Sequence, residues 1–174
     1  MGQLYDAMIL HMEENNLKFQ RHDEAERLML GIGGRNGRWQ IVVQVNQARE
    51  QVTVLSMLES HCPPERLPAM CEFLTRANWG LILGNYEMDL QDGEIRYKTS
   101  VDMEGQVLPQ SMIRPLMAAN ISTVDRYFPG LMRVMFGDGD ARMAVRECEP
   151  SRERLEAELE ELMAQRGRSH PSRL

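Results

Sequence analysis

The sequence predicts one α+β domain, because two kinds of apolar periodicity alternate along its 174 residues. Apolar residues recur at helical spacing near the N-terminus, in the middle of the chain and toward its end. Between these segments, apolar residues alternate with polar ones, as in half-buried strands. The predicted order is helix, three-stranded antiparallel meander, helix, β-hairpin and helix, followed by an appended C-terminal helix.

The first helix is predicted over residues 4–14, where apolar and amphipathic side chains recur every three or four positions. The stripe consists of Leu4, Ala7, Met8, His11 and Met12. The segment carries acids instead of a basic region before its apolar residues, so it is typical of a core-facing helix and not of a signal peptide.

Three strands are predicted from residue 28 to residue 58, where every second residue is apolar. The alternating residues are Leu28, Leu30, Ile32, Trp39, Ile41, Val43, Val45, Val52 and Val54. Asn36-Gly37 suits a two-residue type I′ turn between the first two strands. The resulting cross-strand pairs are Ile32 with Ile41, Leu30 with Val43, and Leu28 with Val45. Arg35 would then face Arg38, an unfavourable pair, so a longer loop is the alternative.

A second helix is predicted over residues 65–79 and a hairpin after it. Leu67, Met70, Cys71 and Leu74 lie at helical spacing, and Gly80 suits the end of the helix. In the following segment, Asp92-Gly93 suits a type I′ turn. The predicted pairs are Leu90 with Ile95, Met88 with Tyr97, Asp89 with Arg96, and Glu87 with Lys98. Apolar and opposite-charge pairs thus separate onto two faces.

A third helix is predicted from an apolar stripe after Pro109, made of Met112, Ile113, Leu116, Met117 and Ile121. Pro129-Gly130 is expected to interrupt it, and a short helix over residues 131–136 is expected to close the domain, which spans residues 1–140.

The segment 150–166 predicts a separate, charged amphipathic helix, and residues 167–174 predict a disordered tail. Leu155, Leu159 and Leu162 form a narrow stripe among glutamates, and they are the candidate partner-binding residues. A helix of about 16 residues is marginal alone in water, so it needs a surface to lie on. That surface is its own domain, a second subunit or a partner, and the alternative is a solvated tail.

Composition and charge exclude several classes of protein. No apolar run approaches the roughly 20 residues of a membrane span. The net charge is −6, which disfavours nucleic acid as a partner. Three cysteines without a CxxC pair favour neither a disulfide framework nor a zinc site and fit a reducing cytoplasm. Ser172-Arg173-Leu174 resembles a variant of the peroxisomal address, a match that arises easily by chance.

No motif for catalysis, a cofactor or a metal was found. GIGGRNG, residues 31–37, is followed by a strand, whereas a nucleotide loop is followed by a helix. Glu87, Asp89, Asp92 and Glu94 form a carboxylate cluster, but their basic partners favour a solvated charged sheet face. His61-Cys62 supplies half a metal site at best, and Cys71 is expected in the core. The 14 methionines are expected to fill the core, with an adaptable binding surface as the alternative.

The stretch NWGLILGNYEMDLQDGEIRYKTSVDMEG, followed by VDRYFPGLMRVMFGD, resembles the YbjN family. The resemblance covers roughly residues 1–137 and is specific over residues 78–137. It implies a fold like that of type III secretion chaperones, which are acidic homodimers that hold segments of client proteins. A regulatory role in signalling is assigned to the family, and no catalytic residues are carried over from it.

The leading hypothesis is therefore a cytoplasmic, non-enzymatic, chaperone-like or regulatory protein that binds a partner polypeptide and forms a homodimer. No cofactor, nucleic acid or membrane is expected as a partner. The alternative is a small-ligand-binding or enzymatic domain whose site is assembled across the fold. A deep pocket with converging polar groups would favour the alternative, and a shallow apolar patch or groove would favour the leading hypothesis.

Overall fold

The computed structural model describes residues 2–149, and within them six strands form one antiparallel sheet packed against helices. The strands are β1 (Gln20–His22), β2 (Arg27–Gly33), β3 (Arg38–Asn46), β4 (Gln51–Met57), β5 (Asn85–Met88) and β6 (Ile95–Asp102). The helices are α1 (Gln3–Glu14), α2 (Leu67–Gly80), α3 (Gln110–Phe136) and α4 (Ala141–Cys148). The predicted α+β class and the predicted order of the main elements are confirmed.

The strands lie side by side in the order β1-β2-β3-β4-β6-β5. Burial alternates along β3 and β4, so one face of the sheet packs into the core while the other stays half-exposed. The fully buried side chains on the inner face include Leu28, Trp39, Ile41, Val43, Val54, Ile95 and Tyr97. Strand β1 is short and exposed, and it has no apolar alternation by which the sequence could have predicted it.

The predicted apolar face of β2 and β3 is correct, but the predicted register is wrong by two residues. Leu30 lies opposite Ile41 and Ile32 opposite Trp39, with Gly33 facing Arg38 at the end of the ladder. A four-residue loop replaces the two-residue turn, and Asn36 does not adopt a positive φ. Its backbone N–H instead donates to the Asp125 carboxylate at 2.7 Å, so α3 sets the shape of this loop.

The β5–β6 register is also shifted by two residues from the prediction. Met88 lies opposite Ile95 and Glu87 opposite Arg96, which leaves Leu90 in the loop with 61% of its surface exposed. The loop spans residues 90–93. Gly93 has φ +76, a conformation that favours glycine, and its carbonyl accepts a hydrogen bond from the Cys62 N–H. A Cβ at residue 93 would collide with the Cys62 backbone. The predicted Leu90–Ile95 and Asp89–Arg96 pairs are therefore wrong.

The predicted ion pair between Glu87 and Lys98 is present, although the two residues are diagonal neighbours. The Glu87 carboxylate accepts from Lys98 Nζ and from Arg96 Nε, the latter at 2.8 Å. Burial acts to raise the pKa of Glu87, but these hydrogen bonds outweigh it and hold the pKa below its usual value.

Helix α2 confirms the predicted second helix, but Cys71 faces outward. Met70 and Leu74 are buried as predicted, whereas Cys71 is exposed and Cys62 is the buried cysteine. Residue 71 lies on the outer side of the stripe formed by Met70, Phe73, Leu74 and Ala77, so the prediction of a core cysteine at 71 is wrong.

Helix α3 runs without interruption through Pro115 and Pro129, so the predicted break at Pro129-Gly130 and the separate helix 131–136 are wrong. Pro129 removes the hydrogen bond that the Asp125 carbonyl would accept. Asn36 Nδ2 replaces it, donating to that carbonyl at 2.9 Å. Along the predicted stripe, Ile113, Leu116 and Met117 are buried, while Met112 is 41% exposed.

Asn120 attaches the middle of α3 to the sheet and is fully buried. Its Oδ1 accepts from Ser56 Oγ at 2.5 Å. Its Nδ2 donates to the Val54 carbonyl at 3.0 Å and to Thr99 Oγ1 at 3.1 Å. One amide therefore links α3 to two adjacent interior strands, β4 and β6.

Helix α4 lies beyond residue 140 and was not predicted. Asp140 caps it, because its carboxylate accepts from the Met143 N–H at 2.9 Å. The helix packs against α2 and α3. The predicted helix 150–166, the tail 167–174 and the candidate residues Leu155, Leu159 and Leu162 lie outside the described residues. No described helix is long and apolar enough to cross a membrane.

Replacing Asn120 with alanine is expected to lower the free energy of unfolding by about 2 to 3 kcal/mol, since buried polar partners lose their hydrogen bonds. Urea denaturation followed by circular dichroism measures the change. Ser122→Ala, an exposed position on the same helix, is the control and should differ from wild type by less than about 0.5 kcal/mol. An Asn120→Ala midpoint equal to that of wild type would show that the amide does not organise the core.

Glu87→Gln is expected to cost about 1 kcal/mol or less at pH 7, because the ion pairs are partly exposed. The folded pKa of Glu87 lies below its unfolded value of 4.5. The stabilisation is therefore fully present above pH 4.5 and is lost as the pH falls through the folded pKa.

The urea midpoints of wild type and Glu87→Gln should therefore become equal as the pH falls through the folded pKa of Glu87. Asp89→Asn is the matched control, since Asp89 forms no ion pair with any residue from 2 to 149 and an asparagine can still accept from the Gln91 N–H. An effect of Asp89→Asn as large as that of Glu87→Gln would contradict the observed register.

Candidate partner-binding surfaces

Two adjoining surface features carry the exposed apolar side chains at one end of α2. The first is a groove between α2 and α4, here called the α2–α4 groove, with a volume of about 850 Å³. Its lining residues are Cys71, Glu72, Thr75, Arg76, Trp79, Gly80, Arg142, Val145, Arg146 and Glu149. All of them except Val145 are exposed, so the groove is shallow.

The position of α4, and hence the width of the groove, depends on a close contact with α3. Gly130 of α3 is buried, and a Cβ there would lie 2.7 Å from Cys148 Sγ and 2.8 Å from the Phe73 ring. Glycine therefore lets α2, α3 and α4 approach one another. Tyr127 packs edge-on against Phe73 and donates its hydroxyl hydrogen to Glu149 at 3.3 Å. Burial, and secondarily the charge of Glu149, raises the pKa of Tyr127 to about 12.

The α2–α4 groove is basic although the whole chain is acidic. Arg76 pairs with Glu72 at 2.7 Å along α2. Arg142 and Arg146 lie one turn apart on α4, and neither forms an ion pair with any residue in the described range 2–149. These two guanidinium groups give the wall of the groove a local positive charge.

The second feature is an apolar cluster at the C-terminal end of α2 and in the loop that follows it, here called the loop patch and formed by Trp79, Ile82 and Leu83. Trp79 is 94% exposed, Ile82 97% and Leu83 48%. A depression of about 460 Å³ between this loop and α3 adjoins the patch. Three large apolar side chains within five residues form the most exposed apolar cluster of the described chain.

Hydrogen bonds hold the loop patch in place from both sides. Asn78 accepts from the Tyr86 N–H at 2.7 Å and donates to the Tyr86 carbonyl at 3.1 Å. The Tyr97 hydroxyl donates to the Leu83 carbonyl. The backbone is therefore anchored to β5 and β6 while its side chains point away from the core.

No perturbed titratable group is poised for acid–base chemistry near neutral pH in the described residues. Burial raises the pKa of Cys62, Cys148 and Tyr86, which favours their neutral forms. Hydrogen bonds from Arg21 and Tyr5 lower the pKa of Asp23, which favours its charged form. Residues 2–149 also contain no group of three His, Cys, Asp or Glu side chains that could hold a metal ion.

The carboxylates of the β5–β6 hairpin form contacts that stabilise the hairpin itself. Glu87 pairs with two basic residues, while Asp89 and Asp92 accept from backbone N–H groups within the turn. His61 Nδ1 lies 3.0 Å from the Asp92 carbonyl.

The sequence did not predict the loop patch, although the apolar run Leu81–Leu83 between Gly80 and Gly84 is a visible signal for it.

A sequence model of the YbjN family, described as "Putative bacterial sensory transduction regulator", matches residues 5–133. No curated protein sequence matches the chain significantly. The solved structure of YbjN from E. coli, described as "a putative transcription regulator", is similar with a TM-score of 0.55 at 12% identity. That similarity covers 72% of this chain and 91% of that chain. The resemblance predicted from the sequence is confirmed.

Two complexes show weaker likeness. The HopA1–SchA chaperone–effector complex gives a TM-score of 0.42 at 17% identity, covering 69% of this chain and 90% of that chain. The ExsC–ExsE complex gives a TM-score of 0.46 at 9% identity, covering 71% and 89%.

Proposed function

The chain belongs to the YbjN family, and we propose that it is a cytoplasmic, chaperone-like or regulatory protein that binds a partner polypeptide and has no catalytic activity of its own. The family description as a sensory transduction regulator supports a regulatory role. The observation that carries the proposal is the loop patch.

Tryptophan is enriched among the residues that contribute most to protein–protein binding, and exposed apolar patches mark interaction sites. Trp79 and Ile82 are almost fully exposed, and their backbone is fixed by Asn78 and Tyr97. A fixed apolar surface loses little conformational entropy on binding, so more of the burial free energy contributes to affinity. The loop patch therefore supports a binding function.

The geometry gives less support to a small-ligand or enzymatic site. Small-ligand sites are concave and bury most of the ligand's surface. The α2–α4 groove is as large as such a site, but nine of its ten lining residues are exposed and no buried polar side chains converge in it. Its shape suits a polypeptide segment better.

We also propose a homodimer, because the loop patch leaves apolar surface uncovered by the described part of the chain. Light scattering at micromolar concentration should return about twice the 20.1 kDa chain mass. A result equal to the mass of one chain would contradict this proposal and would leave partner binding to be tested separately.

Capture from the soluble cytoplasmic fraction tests partner binding. The tagged full chain should enrich specific proteins, identified by mass spectrometry. The Trp79→Ser/Ile82→Ser variant should lose them by about tenfold or more, the equivalent of about 1.4 kcal/mol. Both side chains are exposed, so these substitutions should leave the fold intact.

Leu90→Ser/Val107→Ser is the matched control, since it removes two exposed apolar side chains from other loops. It should retain the captured proteins. Binding of the purified partner by isothermal titration calorimetry should show the same ranking. Equal capture by both variants, or no protein enriched by wild type, would contradict the proposal.

A further inference from the structure

The described chain ends at the α2–α4 groove. Glu149 lines the groove, accepts from the Tyr127 hydroxyl and has an extended backbone (φ −86°, ψ 140°), so the chain leaves the axis of α4 there. Pro150 follows and cannot continue the helix with a backbone hydrogen bond. We propose that the α2–α4 groove is the docking site for residues 150–166 of the same chain. This inference does not depend on the proposed function.

The length of the segment suits the groove. A helix over residues 150–166 would be about 25 Å long at 1.5 Å per residue, and α2 is about 21 Å long by the same rule. In a helix, Leu155, Leu159 and Leu162 fall within about 60° of one another, at 100° per residue. That stripe is narrow enough to enter a groove between two helices, where Val145 supplies the buried apolar contact.

The negative charge of residues 150–166 favours this segment as the occupant of the α2–α4 groove. Residues 150–166 contain five glutamates and three arginines. Glu156 and Glu158 would flank the leucine stripe on opposite sides, at about 95° and 65° from its centre. The α4 wall of the groove offers Arg142 and Arg146, which have no ion pair among residues 2–149. Because the two glutamates lie on opposite sides of the stripe, one of them faces this wall in either orientation of the segment. An acidic helix with an apolar stripe therefore complements a basic groove with an apolar floor.

Connectivity favours the chain's own segment over that of a second copy. The segment begins at the residue after Glu149, so its three leucines follow that residue by 6, 10 and 13 positions. A short link gives an effective concentration in the millimolar range. Weak contacts that could not hold a free peptide can then hold the attached segment.

Cys71 provides a native probe of docking. Its thiol lies in the groove and is exposed with respect to residues 2–149, whereas Cys62 is buried and Cys148 half-buried. A docked segment would shield Cys71 from a thiol reagent. Reaction of the full chain with dithionitrobenzoate should therefore be slow at Cys71, and Cys71→Ser identifies the signal of this residue.

The test variant is Leu159→Glu/Leu162→Glu in the full chain, which places charge on the stripe while keeping good helix formers. Cys71 should react about tenfold faster than in wild type, the equivalent of about 1.4 kcal/mol of docking. The matched control, Ala157→Glu/Ala164→Glu, adds the same charge to the opposite side of the helix and should keep the wild-type rate within about twofold. Equal rates in wild type and the stripe variant would overturn the inference.

Charge reversal gives a second, independent measurement. Arg142→Glu/Arg146→Glu should also expose Cys71, and adding Glu156→Arg/Glu158→Arg should restore its protection. Failure of the second pair to restore it would count against the proposed contact. Finally, an excess of Cys71→Ser chains should not protect Cys71 of the stripe variant. Protection by these added chains would show that the segment docks on a second copy, which would overturn docking within one chain.

Discussion

The buried amide of Asn120 is the interaction on which the arrangement of helices over the sheet depends. An asparagine without partners in an apolar core costs several kcal/mol, so its position requires donors and acceptors nearby. Ser56, the Val54 carbonyl and Thr99 supply them, all on the adjacent interior strands β4 and β6. Apolar contacts alone would allow α3 to slide along the sheet, whereas this set of hydrogen bonds fixes one position along its axis.

Once that position is fixed, the rest of α3 determines the surfaces at its two sides. Asp125, five residues on from Asn120, holds the β2–β3 loop through Asn36, and Asn36 satisfies the carbonyl left free by Pro129. The helix can therefore continue to Gly130, where its missing side chain admits Cys148 and Phe73. The α2–α4 groove exists because α3 extends past Pro129 and α4 folds back onto it.

The sequence predicted the elements well because hydrophobic periodicity is a local property. The alternation of Leu28, Leu30 and Ile32 fixes which face is buried, and a shift of two residues keeps that face. The predicted registers were wrong because Asn36-Gly37 and Asp92-Gly93 suit two-residue turns that the protein does not form. Distant groups determine the two loops: Asp125 binds the first and Cys62 the second. The continuity of α3 was unpredictable for the same reason, since the group that compensates for Pro129 lies 93 residues earlier in the chain.

The candidate surfaces were harder to predict because exposure of an apolar residue has no periodic signature. Leu81–Leu83 looks like core in sequence, yet Gly80 and Gly84 bound a loop whose backbone is anchored while its side chains remain outside. Anchoring matters, because a mobile apolar loop could fold back onto the protein, whereas this one is held away from the core by Asn78 and Tyr97. Neighbouring arginines on α4 then give the same end of the molecule a charge opposite to that of the whole chain. The end of α2 supplies the apolar exposure and α4 supplies the local positive charge, so two segments that pack onto the core on one side form the surface available for binding on the other.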